Sequence, residues 1–274
     1  MKKPWVGVAA LAAFALALSA CGADPDQAAD DTTPDTDAVE EDAGDDVADD
    51  DTDADDAADD EAVEDDSEIL IGGALCLSGP QSAYDALILE GIEVAIAEAN
   101  EQGGILGKQV RWANLDGQSD PVTVANNAEQ LVEMGASAII APADYDFGGP
   151  ASRAAQEAGL VGISPGATSP LYGSDTLGDK QFTIGFWNTA MGAAGAEWAY
   201  NEQDFRSAYI ITDTFIDYTV SLSDYFKQSW ERLGGEIVGE DTYTNGDMEF
   251  GAQLQRLRAV IDDVDVIYMS VYNP

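Results

Sequence analysis

Residues 69–104 read ILIGGALCLSGPQSAYDALILEGIEVAIAEANEQGG. The stretch opens on a continuous apolar run, residues 69–75, of the kind required by a strand buried on both faces of a sheet. A polar loop, Ser78-Gly79-Pro80-Gln81-Ser82, follows, and then the period changes. Ile88, Ile92, Ala95, Ile96 and Ala99 recur at helical spacing and predict a buried stripe, with Gly103-Gly104 as the stop. A strand that reaches the next strand through a helix must run parallel to it, so this stretch points to an α/β fold.

Working outward, the same unit repeats. Residues 110–115 read as a second strand, Asp120-Pro121 as an N-cap with proline at the first helical position, and Val124, Ala128, Leu131 and Val132 as the buried stripe of the helix they open. Strands are predicted over 138–141, 160–163 and 181–186, with a helix over 151–158. A second series follows: a helix over 190–203, strands over 207–212 and 236–243 with a helix between them, a further helix capped by Asp247 that buries Phe250, Leu254, Leu257 and Ile261, and a last strand over 264–268. Right-handed crossovers then place helices on both sheet faces. The predicted architecture is two doubly wound parallel-sheet lobes joined by a hinge near Trp187, lobe 1 over 68–186 and an incomplete lobe 2 over 187–274.

The residues before this core have a different character. Lys2 and Lys3 precede an apolar run over 6–18, which is shorter than the roughly 20 residues needed to span a bilayer, so 1–20 reads as a signal peptide. Leu18-Ser19-Ala20-Cys21 resembles the lipobox of bacterial lipoproteins, which implies that Cys21 is acylated and becomes the mature N-terminus, anchoring the chain to the membrane. Residues 22–67 contain no Lys, Arg, aromatic, Leu or Ile. Such a segment cannot bury enough apolar surface to offset the entropy of ordering, and its like charges extend it into a tether. The formal net charge of −42 repels nucleic acid, so no nucleic-acid partner is expected. With no histidine and with Cys76 alone once Cys21 is lipidated, Ser-His and Cys-His catalysis are excluded. Cys76 itself reads as a small buried side chain.

In open α/β sheets ligands bind beyond the carboxyl ends of strands. The loops there are Ser78 to Ser82, Asp144-Tyr145-Asp146-Phe147, Ser164-Pro165-Gly166-Ala167-Thr168-Ser169-Pro170, and, in the second lobe, 213–218 and 270–274. None is a phosphate-cradling glycine loop, and no Gly-Lys-Ser or Gly-Lys-Thr occurs, so neither a nucleotide nor any other cofactor is expected. Nor does any spacing read as a metal site. Paired carboxylates, for instance Asp144 with Asp146, could serve acid–base chemistry, but acids two apart in a loop are usually solvated or cap a helix, and the chain is not read as an enzyme.

"LSGP" after the first strand, "EANEQGGILGKQV" closing the first helix, "SPGATSP" after the fourth strand and "DTYTNGDMEFGAQLQRLRAVIDDVDVIYMSVY" resemble the substrate-binding proteins of branched-chain amino acid ABC importers. These form the Leu/Ile/Val-binding family of type I periplasmic binding proteins. The similarity runs in order over 68–274. It implies two hinged lobes that close on a small polar solute and present it to a membrane permease. Carried over by position, the family's hold on an amino acid's carboxylate and ammonium falls on Tyr145, on Gly166, Ala167 and Thr168, and on Tyr218 and Tyr272.

Two departures modify that expectation. The third loop, usually rich in Ser and Thr in this family, here carries Asp144 and Asp146, which oppose a carboxylate and favour an ammonium or amide; a solute with a nitrogen donor is therefore expected. Ser78 joins the candidate set from the first loop, and Phe186 and Trp187 either border the cleft or pack at the hinge. The family continues past the length seen here, so the chain is read as C-terminally incomplete. A lipoprotein that reports its ligand to a membrane receptor is the alternative function, because one fold serves both roles.

Overall fold

Two parallel sheets hold the strands of the computed structural model, which describes residues 68–272. The predicted signal peptide, Cys21 and the acidic tract lie outside the described residues. The first sheet has the order β2-β1-β3-β4-β5, built from β1 (Glu68–Gly73), β2 (Gln109–Asn114), β3 (Ala138–Ile140), β4 (Val161–Ser164) and β5 (Gln181–Thr183). Helices α1 (Ser82–Glu101), α2 (Pro121–Glu133), α3 (Tyr145–Glu157) and the short α4 (Ser174–Leu177) connect these strands. After α5 (Asn188–Glu197) comes a second sheet of order β7-β6-β8, formed by β6 (Ser207–Asp213), β7 (Glu236–Tyr243) and β8 (Val266–Ser270), with α6 (Asp217–Leu233) and α7 (Gly251–Val260) as crossovers.

The local chemistry explains the elements. Asp120 caps α2 by accepting a hydrogen bond from Thr123 N at 2.7 Å, and Pro121 occupies the first helical position, where a missing N–H costs nothing. Gly104 adopts a positive φ of 76°, and a Cβ there would lie 1.9 Å from the carbonyl oxygen of Lys108, so the turn into β2 requires glycine. Val124, Ala128 and Leu131 of α2 pack with Leu70, Ile139 and Phe147 into the core of the first sheet. In the second sheet Phe226 stacks on Trp230 at 5.6 Å and on Tyr268 at 3.8 Å, forming the centre of a separate apolar cluster. Cys76 is fully buried and unpaired, and desolvation pushes its thiol up to about 12, which leaves it inert as a nucleophile.

Several elements differ from the sequence-based expectation. The run over 69–75 leaves the ladder at Gly73, because the Asn114 side chain accepts the Leu75 N–H at 3.0 Å in place of a neighbouring strand. The α1 stripe is not buried: Ile88, Ile92 and Ile96 are half-exposed, Leu87 and Val94 are 69% and 60% exposed, and only Asp85 is buried on that helix. Helix α3 begins at Tyr145 rather than 151, since Asp144 supplies a cap through Asp146 N at 3.1 Å. Strand β5 stops at Thr183, with Ile184 and Phe186 exposed. The helix expected over 190–203 becomes α5 followed by a π-helical turn, Trp198–Glu202. Asp247 does not cap α7; its carboxylate accepts from Thr244 N at 2.8 Å, and α7 buries none of its side chains.

Helices α5 and α6 pack closely because Gly192 has no side chain: a Cβ there would stand 2.6 Å from the backbone nitrogen of Phe226. Gly192→Val should therefore force the helices apart and cost about 1–3 kcal/mol. The expected reading is a lower urea midpoint at unchanged m-value.

Candidate functional site

The site is organised by a carboxylate that lies on the apolar stripe of α1. Asp85 is fully buried. Its Oδ2 accepts the N–H of Cys76 at 2.8 Å, and its Oδ1 accepts the N–H of Ala143 at 3.0 Å and the Gln81 amide at 2.9 Å. One side chain thus ties the segment after β1 to the segment after β3. Burial raises the Asp85 pKa, and these three donors pull against that rise. Gln81 in turn accepts a hydrogen bond from the Tyr272 hydroxyl, and the Tyr84 hydroxyl donates to the Tyr272 carbonyl. Tyr272 follows β8 of the second sheet, yet it is buried in the core cluster of the first, together with Ile216.

Where the strand ends of the two sheets meet there is a cavity of about 380 Å³. Gln81, Tyr84 and Ile88 line it at α1, Ala143 and Asp144 after β3, and Gly166 and Thr168 after β4; Met191 of α5, Tyr218 of α6 and Tyr272 complete it. A larger hollow of about 680 Å³ lies between α7 and the second sheet, lined largely by apolar groups such as Met248, Phe250, Leu254 and Met269. It lacks the convergent buried polar groups of the smaller cavity, which is therefore the candidate site.

Of the residues nominated from sequence, Asp144, Gly166, Thr168, Tyr218 and Tyr272 line this cavity, and Ser78, Tyr145, Asp146, Ala167 and Trp187 do not. Ser78 is exposed and donates its hydroxyl to Asp116 at 2.8 Å. Tyr145 accepts from Arg153 at 3.0 Å and packs against the cluster of Ala167, Tyr172 and Leu177. Ala167 is fully buried, its N–H on Ser164 Oγ at 3.0 Å. Asp146 accepts the N–H of Asp217 at 2.9 Å, a direct bond between the chain after β3 and the start of α6. Trp187 is half-exposed at the N-terminus of α5. Sequence reasoning missed Gln81 and Asp85, and also Asn188, which is fully buried at the start of α5 and donates its side-chain amide to the carbonyl of cavity-lining Tyr218 at 3.0 Å. The signal for Asp85 was its place three residues before Ile88 on an otherwise apolar stripe.

Asp144 dominates the electrostatics. It is 6% exposed, and burial, with the carboxyls of Asp146 and Asp217 nearby, pushes its pKa up to about 8. Asp146 is also raised, chiefly by burial, although the Asp217 N–H opposes the shift. Tyr218 is raised by burial and by the Asp144 charge. A carboxyl that binds its proton more tightly folded than unfolded stabilises the fold at low pH, and that contribution is lost as pH rises through the folded pKa. Stability should therefore fall between about pH 4 and pH 8 on account of Asp144. In Asp144→Asn, which keeps a capping side chain, urea midpoints measured across that range should fall less steeply than in the parent.

The model of the periplasmic binding protein family matches residues 68–274. The Leu/Ile/Val-binding protein BraC3 of Rhizobium johnstonii is 30% identical over 208 residues, covering 76% of this chain and 56% of that protein. Among solved structures, the branched-chain amino acid transporter substrate binding protein LivJ from Streptococcus pneumoniae, in complex with isoleucine, superposes with a TM-score of 0.67 at 29% identity, covering 74% of this chain and 56% of that one. A substrate-binding protein from Desulfitobacterium hafniense in complex with Leu gives 0.62 at 26% identity, covering 74% and 58%. The chain spans somewhat over half the length of these relatives. The two parallel sheets and the match over all of the described residues place the chain in the periplasmic binding protein family.

Proposed function

We propose that the chain is an extracytoplasmic solute-binding lipoprotein that captures an amino acid or related small nitrogenous solute between two lobes and delivers it to an ABC permease. One observation carries this reading: the cavity of about 380 Å³ takes its walls from the strand-end loops of both sheets, so a solute there touches both. That volume suits a ligand of amino acid size. The isoleucine and leucine complexes of the solved relatives support the same solute class. A hinge near Trp187, between residues 68–186 and 187–274, would let the walls separate and close. Cys21, acylated, would hold the protein at the outer face of the membrane, and the acidic segment behind it would give the binding unit reach.

A thermal-shift and NMR panel of amino acids, amides and amines on the purified chain tests capture. At least one solute should raise the melting midpoint, since a ligand that binds only the folded state at a hundred times its Kd stabilises by about 2.7 kcal/mol. Thr168→Val should weaken that solute about tenfold, the value of one hydrogen bond. No solute raising the midpoint would refute the reading. For the anchor, cells expressing the chain should incorporate labelled palmitate, and Cys21→Ser should abolish the label.

A further inference from the structure

Beside the cavity, two short segments of the second sheet are gripped by the first. The loop after β6 supplies Phe215, and the segment after β8 supplies Tyr272. Tyr84, Tyr272, Phe215 and Phe147 form a row in which successive ring centroids stand 5.4, 5.4 and 6.5 Å apart, all within the range of favourable ring pairs. The outer two rings belong to α1 and α3 of the first sheet, and the inner two to the second. The second sheet thus presents a wedge of two aromatic side chains held from both sides. Ile216 enters the core of the first sheet with them.

Hydrogen bonds fix each end of the wedge. The Tyr272 hydroxyl donates to Gln81, and the first sheet holds that acceptor in place on its own account: the Gln81 amide donates to Asp85 at 2.9 Å and its backbone N–H to Ser119 at 3.0 Å. Gln81 and Tyr272 are 1% and 3% exposed, so their bond is shielded from competing water. The Tyr84 hydroxyl donates in the opposite sense, to the Tyr272 carbonyl. At the other end the N–H of Asp217, the first residue of α6, donates to Asp146 at the start of α3 at 2.9 Å. Every partner in this set is a protein group. The arrangement in which the sheets meet therefore carries its own stabilisation.

We propose that Phe215 and Tyr272 form a built-in clasp that draws the second lobe onto the first, so that a solute selects a cleft the protein already closes by itself. This rests on the hinged capture proposed above and assigns its closing force. In a trap without such a clasp, the walls would stay apart until a solute bridged them. Two aromatic pairs and one shielded hydrogen bond are together worth about a hundredfold in a closed-to-open ratio.

The distance between two spin labels on the purified chain tests the clasp. Cys21→Ser removes the anchor thiol, and Val122→Cys and Met248→Cys place one label at the exposed start of α2 and one on the exposed loop after β7. Cys76 is buried and stays unlabelled. With no solute added, this parent should show one short distance as its main population. Tyr272→Phe, which keeps the ring and removes the donor, should raise the open-to-closed ratio about tenfold, and Phe215→Ala should do the same. Combining the two should make a longer distance a major population, and amide shifts remote from the cleft show that each variant is folded. A parent whose main population already lies at the longer distance would overturn the clasp and leave capture intact. A folded double variant with the parent's distance would do so too. If, in addition, no amino acid, amide or amine of the panel moves either the distance or the melting midpoint, capture itself fails and the clasp falls with it.

Discussion

The architecture of the cleft depends on a single buried carboxylate. Asp85 accepts three hydrogen bonds from groups that would otherwise be buried without partners, each at a cost of about 1–3 kcal/mol. It fixes the Ala143 segment relative to the Cys76 segment, and so determines where Asp144 projects from the end of β3. Through Gln81 it also determines where Tyr272 is received, which couples the second sheet to the first. The remaining features of the cleft are arranged around that bond set.

Much of the fold was legible because its signals are local. Apolar runs separated by helical periods identify parallel α/β units, and β7 falls on the residues expected for it, Glu236–Tyr243. Asp120-Pro121 opens α2 because a cap and a proline act on their own neighbours. The failures are of a different kind. The α1 stripe and the apolar positions of α7 were expected to be buried, but periodicity reports only which face is apolar; burial depends on what packs against that face. The cavity was legible as a set of strand-end loops, and Asp144, Gly166, Thr168, Tyr218 and Tyr272 do line it. What could not be read was which donors the protein consumes internally. That depends on contacts such as Ser164 Oγ to Ala167 N and Asp85 to Ala143 N, the second of which spans 58 residues.

Family membership and site chemistry carry different information here. The family match covers residues 68–274, which hold the strands and helices of both sheets, and fold by itself does not fix a ligand. On the proposed reading selectivity would rest on a few loop residues, and in this chain the segment after β3 places Asp144 and Asp146 beside Asp217, with the Asp217 N–H donating to Asp146. Burying carboxyls together is tolerated only when protons or counter-charges are supplied, and burial accordingly raises both Asp144 and Asp146.

Seating Tyr272 within the core of the first sheet has a kinetic corollary for hinged capture. On the proposed capture reading, parting the two sheets would draw Tyr272 off Gln81 and out of the first sheet's core, and that withdrawal is a unimolecular event that no amount of solute accelerates. Association would then show a ceiling: its observed rate would climb with concentration only until gate opening, rather than encounter, became limiting.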